Sequence, residues 1–488
     1  MKDDPPGRLT VMTAEPTATG HRSPWSRSPW GRYPSAAELD ASTPDARDRV
    51  VDLVRGLSLA VMVFGHSFMA LVVFKGTHVE LSNTLAQTRA LQPATWLLQI
   101  MPLFFAAGAW ANALSYRKAT SYPVWLSARV RRLLRPVLLY VGFWVVVPPL
   151  LLGWNSDISL PLLRLSTQLL WFLGVYLLVT ALTPLLVRFA AHPWAACLGW
   201  LAGAAAVDVG ALAGAPQALR LLNFVLVWAL AGQTGLWVFS PVHRPDVRRA
   251  TALAVGCIAA DALLVGFGPW PLSLVGLPDE RISNMAPPSI VMALHAVTLA
   301  AVTVLTYRWL ARLAARPRVW RATVVVNAAA MTVYLWHLVA LILALLTLRA
   351  LSLDLVGYSS PGWLGPRLLF WGVFVVYTFA LVWFWRPFEH MTLPWWDAPP
   401  RHSLASGWPY RIRSALSVVG AAAVAVSLLA LSVTGLVGFP FNSSTNYAGL
   451  SFTPGLAVAV ALLGMLLARV AAVGDVRPGR SVSVSARG

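Results

Sequence analysis

Charge is scarce in this chain of 488 residues: 12% are Asp, Glu, Lys or Arg and 57% are hydrophobic, whereas a soluble globular domain carries about 25% charged residues. That balance excludes a water-soluble fold, because apolar runs near twenty residues long recur along the chain and each suffices to cross a bilayer. Cysteine is scarcer still. The two present, Cys197 and Cys257, lie inside such runs, which excludes a disulfide scaffold and makes them small buried hydrophobes rather than a redox pair. The sequence also lacks a Gly-rich phosphate loop, a heptad array and a repeat between its halves. No His, Cys or carboxylate cluster has metal-ligand spacing, so no metal is expected.

What is present reads as an all-α, polytopic transmembrane helical bundle. Runs bounded by charge, Pro and Gly place about twelve spans near 50–73, 95–115, 136–152, 168–189, 194–214, 219–239, 250–268, 289–312, 323–348, 367–386, 413–436 and 453–472. The net charge of +19 is then a matter of membrane sidedness and does not call for nucleic acid. The basic clusters at 117–135, 244–249 and 308–321 all fall on the face that carries the N-terminal tail, which the positive-inside rule makes cytosolic. Both termini are expected on that side of a multi-pass plasma membrane protein.

The chain divides accordingly. Residues 1–46, rich in Pro, Ser and Arg, read as a disordered cytosolic tail, and 47–390 as the membrane core. Residues 391–412 form a Pro- and Trp-rich connector whose Trp395, Trp396 and Trp408 suit the headgroup level. Residues 413–472 hold two additional helices dominated by small side chains, a composition for close packing more than for chemistry, and 473–488 form a cytosolic tail.

An ionisable group within a span is costly and marks a functional candidate. The first span has three: Asp52, Arg55 and His66. Helical rotation brings Arg55 and His66, eleven positions apart, onto one face with Asp52, separated by roughly 16 Å along the axis. Arg55 then meets the cytosolic boundary while His66 sits near mid-membrane, where a neutral imidazole can accept a proton or attack an electrophile. The plainer alternative is a hydrogen-bonded core histidine with Asp52 and Arg55 as an interfacial ion pair. After the second span comes a loop rich in cations in which Arg129, Arg132 and Arg135 repeat at spacing three. Guanidinium forks bind phosphate oxygens bidentately; lipid headgroups are the competing partner.

Asp52-x-x-Arg55-Gly56, the ten-residue gap to His66, the Met101-Pro102-Leu103-Phe104-Phe105 segment with Gly108, the Arg-x-x-Arg loop and Tyr334-Leu335-Trp336-His337 together resemble the membrane-bound acyltransferase type 3 family over roughly residues 47–390. The resemblance implies a core of about ten helices that takes an acyl group, commonly acetyl, from cytosolic acyl-CoA. It would place that group on a hydroxyl of a glycan, lipid or secondary metabolite, as in O-acetylation of cell-envelope polysaccharide. It also implies that His66 is catalytic, that Arg55 supports it and that Arg129, Arg132 and Arg135 hold the coenzyme. The family usually has Ser before the second-span Gly, where this chain has Ala107, and the last two helices extend beyond the family core.

Read beside the resemblance, His66 serves as general base or as transient acyl carrier. Asn327, Tyr334 and His337 fall toward one face of the ninth span and are candidate walls of a substrate cavity. His295 in the eighth span has no motif around it. Asp208 and Asp261 lie in the outer halves of their spans, where pairing with Arg220 is the structural alternative to an acceptor pocket. A transporter or flippase that uses the buried Arg, His and Asp groups as a substrate or proton pathway is the alternative function.

Overall fold

The computed structural model describes residues 35–44, 47–75, 78–152, 165–277, 282–353, 362–390, 407–436, 439–441, 445–447 and 450–472. Its longer helices, in chain order, are α1 (Ala36–Ser42), α2 (Arg49–Met69), α3 (Met101–Arg117), α4 (Tyr122–Leu152), α5 (Leu170–Ala181), α6 (Thr183–Phe189), α7 (Pro193–Leu212) and α8 (Asn223–Val238). After these come α9 (Val247–Phe267), α10 (Ile290–Ala314), α11 (Pro317–Ala328), α12 (Ala330–Ala350), α13 (Leu364–His390), α14 (Tyr410–Thr434) and α15 (Pro454–Ala471). Among the described residues ten helical stretches are long and apolar enough to cross a membrane, or eleven if Leu165–Ala181 and Thr183–Phe189, bent by 55°, form one span.

Helix α2 begins where Asp48 accepts hydrogen bonds from the backbone N–H groups of Val50 and Val51, 3.0 and 3.3 Å away. Such a cap stabilises a helix start by about 1 kcal/mol. From there α2 packs on α3, α10, α11 and α12, so its polar face is enclosed by four neighbours. Helix α8 is the axis of the bundle. Every one of its side chains from Val227 to Val238 is buried, against α3, α5, α7 and α10, and Phe105 of α3 stacks on its Trp228 with ring centroids 4.5 Å apart.

The fold departs from the sequence reading at several places. The first span was expected to run to residue 73, but α2 ends at Met69 and Ala70–Lys75 (β1) pairs antiparallel with His78–Asn83 (β2). The β-branched pair Val72 and Val73 favours that hairpin. A second hairpin joins Thr445–Tyr447 (β3) to Leu450–Phe452 (β4), so the helical bundle carries two small β elements. The arginine loop is no loop: Arg129, Arg132 and Arg135 lie within α4, because Val130, Leu133 and Leu134 between them and Val137 after them are buried and hold that stretch helical against the core. The ninth span, expected at 323–348, breaks at Ala329 (φ −102°, ψ 5°) into α11 and α12. Of the tail expected to be disordered over 1–46, residues 35–44 are described and contain α1, closed by a reciprocal cap between Ser35 and Glu38. Thr43 accepts a hydrogen bond from Trp320 Nε1 at 2.9 Å, tying this segment to α11. Trp395 and Trp396 of the connector lie outside the described residues, while Trp408 is exposed.

Candidate active site

His66 and His337 meet although 271 positions separate them in the chain, with His66 Nδ1 2.9 Å from His337 Nε2. The ring centroids are 5.2 Å apart and the planes within 4° of each other. That separation is one hydrogen bond plus two ring radii, so the imidazoles are joined edge to edge in a common plane and do not overlap face to face.

The backbone decides where the protons sit. His337 Nδ1 lies 2.8 Å from the carbonyl of Tyr334 and 3.1 Å from that of Val333. Carbonyl oxygens only accept, so Nδ1 carries the hydrogen, and in the neutral ring Nε2 is left as the acceptor. His66 must then donate through Nδ1, which leaves the lone pair on its Nε2. The hydrogen bond at one ring nitrogen thus fixes the state of the other. His337 is fully buried, whereas His66 is half-buried and lines a cavity of about 490 Å³.

That cavity is walled by apolar and aromatic side chains, among them Trp171, Phe172 and Phe224, with the amides of Asn83, Gln99 and Gln168 among its polar groups. Its cover is built by the segment after α9. Leu274 N–H donates to Thr95 Oγ1 at 3.0 Å, Trp96 Nε1 donates to the Leu272 carbonyl at 2.9 Å, and Asn284 Nδ2 donates to the carbonyls of Pro271 and Ser273. His295 belongs to this cover: its Nε2 lies 3.1 Å from the Gln99 carbonyl, and it meets Trp96 edge to face.

A second cavity, of about 180 Å³, lies toward the arginine-bearing end of α4 and is lined by Arg55, Arg129 and Arg132 together with Asn112, Tyr176, Thr180 and Asn327. Arg55 lies over the ring of Phe104, 5.8 Å from its centroid, and its Nε is buried with no hydrogen-bond partner. Arg129 Nη2 donates to Ser115 Oγ at 2.6 Å, an oxygen that also accepts from Trp125 Nε1 and donates to the Asn112 carbonyl. Gly108 shapes this cavity, because a Cβ there would meet the ring of Tyr176 at 2.8 Å. Ala107 beside it is fully buried. The two cavities share four wall residues: Met62, Met101, Phe172 and Tyr334. Tyr334 is fixed by a short hydrogen bond from its hydroxyl to the Leu169 carbonyl.

Of the residues singled out in the sequence, His66 lines the larger cavity with the buried His337 bonded behind it, Tyr334 lines both cavities, and Arg55, Arg129, Arg132 and Asn327 line the smaller. Asn327 belongs to α11, and its Nδ2 donates to the Asp52 carbonyl at 2.8 Å, so the broken span still delivers it to α2. The Asp52 carboxylate pairs with Arg47 at 2.6 Å and lines neither cavity. Nor does Arg135, which sits with Arg132 and Arg386 within electrostatic reach of Glu389. Asp208 stands 3.9 Å from Arg220 and accepts from Asn223 Nδ2 and Ile290 N–H, so it caps α10. The carboxylate of Asp261 is buried without a hydrogen-bond partner, away from both cavities.

Sequence reasoning passed over Gln99, Asn112, Ser115, Tyr176 and Thr180. Amides and hydroxyls in apolar spans were the available signal, since they too are costly in lipid without partners. Asn112 meets that cost by donating to Thr180 Oγ1 at 3.1 Å.

Among the described residues no group of three or more His, Cys, Asp and Glu could hold a metal ion. Neither a curated protein nor a solved structure matches the chain. A family model described as an acyltransferase domain matches residues 48–386, which takes in both cavities except for the part of the larger one walled by α14. With more than half of its length so matched, the chain belongs to the acyltransferase type 3 family.

Proposed function

We propose that this membrane acyltransferase moves an acyl group from acyl-CoA to a hydroxyl of a glycan, lipid or small-molecule acceptor, acetyl being the expected group. In this reading the phosphates of the donor meet Arg129 and Arg132, and the acyl-pantetheine arm enters the smaller cavity past Arg55. A volume of about 180 Å³ admits part of that arm, so the adenine nucleotide stays outside it on the basic face. The acceptor occupies the larger cavity, and the acyl carbon passes the partition of Met62, Met101, Phe172 and Tyr334 to reach His66. The basic face is cytosolic, both termini lie there, and the membrane is the plasma membrane.

One observation carries the reading: the hydrogen-bond chain through His337 leaves a free lone pair on Nε2 of His66, which lines the cavity sharing four wall residues with the arginine-lined one. As a general base, Nε2 takes the proton of the acceptor hydroxyl while its oxygen forms the ester bond and the bond from carbonyl carbon to sulfur breaks. The coenzyme leaves as thiolate and recovers that proton from the imidazolium. As a nucleophile, Nε2 takes the acyl group itself and expels the thiolate; the acceptor oxygen then bonds to the acyl carbon as the bond to Nε2 breaks, and its hydroxyl proton goes to the thiolate. Either route builds charge on His66, and in both its Nδ1–H remains bonded to His337. The guanidinium of Arg55 is a cation available to a developing oxyanion on the donor side. No observation favours the transporter reading over this one.

The test uses the full chain in lipid nanodiscs with acetyl-CoA labelled in the acetyl group. Wild type is expected to consume the thioester, His66→Ala to lose that turnover by at least a hundredfold, and both to bind coenzyme A within twofold of each other. Full turnover in His66→Ala would refute the proposal.

A further inference from the structure

The family match ends at residue 386, yet α14 and α15 lie beyond it. They do not form a detached anchor. Helix α14 packs against α5 and α4, and the Ala425 carbonyl comes so close to Gly174 that a Cβ there would stand 2.6 Å from it. Its next turns reach the reaction cavity: Leu429, Ser432 and Val433, at i, i+3 and i+4, form one helical stripe in the cavity wall that holds His66. Ser432 Oγ donates its hydrogen to the Leu429 carbonyl at 2.6 Å, so toward the cavity the oxygen serves as an acceptor.

We propose that α14, the first helix of the C-terminal pair, is an acceptor-selecting wall of this enzyme and that the acceptor it fits is an uncharged amphiphile bearing hydroxyl groups. The inference rests on reading the His66 cavity as the acceptor site. The charge of that cavity carries the class: among its described lining residues there is no Asp, Glu, Lys or Arg. Arg55, Arg129 and Arg132 stand in the other cavity. The described cation Arg367 stands behind the wall and donates to the Ala70 carbonyl at 2.9 Å, so an anionic acceptor would lose its hydration here without a described cation in the lining to meet it, a far larger cost than burying a hydroxyl that finds a partner. Hydroxyl groups do find partners, in the Asn83 and Gln168 amides and the Ser432 oxygen. The aliphatic stripe from Leu338 and Leu341 of α12 to Leu429 and Val433 of α14 takes the apolar part. Because α14 lies outside the matched domain, this wall can differ between family members while the His66 chemistry stays the same.

The test needs no acyl transfer. In the full chain in nanodiscs, with Cys197→Ala and Cys257→Ala, the variant Ser432→Cys is alkylated with N-ethylmaleimide. The probes are octyl β-D-glucoside, neutral, and octyl β-D-glucuronide, anionic, each below its critical micelle concentration. The glucoside is expected to slow alkylation at position 432 at least fivefold and the glucuronide less than twofold. At Val419→Cys, an exposed position of α14 that lines neither cavity, both are expected to act less than twofold. Absence of glucoside protection at 432, equal protection by the glucuronide, or the same protection at 419 would overturn the proposal. Adding His66→Ala is expected to leave the protection unchanged. Protection with an unimpaired His66→Ala enzyme would therefore sink the catalytic reading alone, and a dead His66→Ala enzyme without protection would sink the present one alone.

Discussion

Arg55 and His66 share one face of α2, about three turns apart, and line different cavities. The partition between them sets two methionines, whose unbranched chains adapt to irregular space at little cost, beside Phe172 and the anchored Tyr334. If the acyl group crosses there, bulk at the partition must slow transfer without touching the coenzyme's phosphates. Met62→Trp is expected to lower thioester turnover at least tenfold while coenzyme A binding, followed by titration calorimetry, stays within twofold. Unchanged turnover would mean that the acyl group takes another route.

His337 acts through His66, as a positioning residue. Its removal takes away the acceptor for His66 Nδ1–H and frees the ring to present the wrong nitrogen. His337→Phe is expected to cost on the order of 10²-fold in single-turnover rate, in the range of acid–base contributions. His337→Gln can still offer an amide oxygen, and recovery of part of the rate is the signature of a hydrogen-bonding role. Equal rates in the two variants would reduce His337 to a packing residue.

Much of this site was legible in the sequence because two rules of lipid burial are strong. Apolar runs gave the helices, and the cost of an ionisable group in a span pointed to Arg55 and His66, which do line cavities. Contacts across the fold were not legible. No spacing rule pairs His66 with a residue 271 positions away, and none shows that Asp52 turns to Arg47 and away from Arg55. The small-residue composition of α14 read as packing, which the approach of Ala425 to Gly174 matches. That the same helix also walls a cavity depends on its neighbours and leaves no mark in its own periodicity. The hairpin at 70–83 was hidden by the apolar character of Ala70–Phe74, which suits a span end and a strand alike.

The three arginines of the basic repeat separate in the structure. Spacing three turns each successive side chain by about 60° around α4, so Arg129 and Arg132 line the small cavity and Arg135 does not, while Arg132, Arg386 and Arg135 all stand within electrostatic reach of Glu389. Arg132→Ala and Arg129→Ala are each expected to weaken coenzyme A binding about tenfold, equivalent to about 1.4 kcal/mol, and Arg135→Ala less than threefold. Lysine at 129 is expected to restore little, since Ser115 Oγ is met by a guanidinium nitrogen at 2.6 Å and an ammonium lacks the fork. Raising salt from 0.05 to 0.5 M is expected to shrink the differences. Equal effects at all three positions would return the repeat to a general attraction for headgroups.

Docking of the C-terminal helix pair depends on the absence of a side chain at Gly174. A Cβ there would sit 2.6 Å from the Ala425 carbonyl and 3.4 Å from Leu428 Cβ, and the backbone oxygen cannot step aside without moving α14. Gly174→Val is therefore expected to destabilise the protein by about 1–3 kcal/mol, the usual cost of overpacking, read as a lower thermal midpoint in nanodiscs. Gly142, on α4, has open space where a Cβ would stand. Gly142→Ala removes backbone freedom from the unfolded chain and is expected to be neutral or to stabilise by up to about 1 kcal/mol. Because α14 also walls the His66 cavity, Gly174→Val should additionally abolish the glucoside protection of a cysteine at 432. A variant with a lowered midpoint and intact protection would show that α14 is held in place mainly by its contacts with α4 and α15.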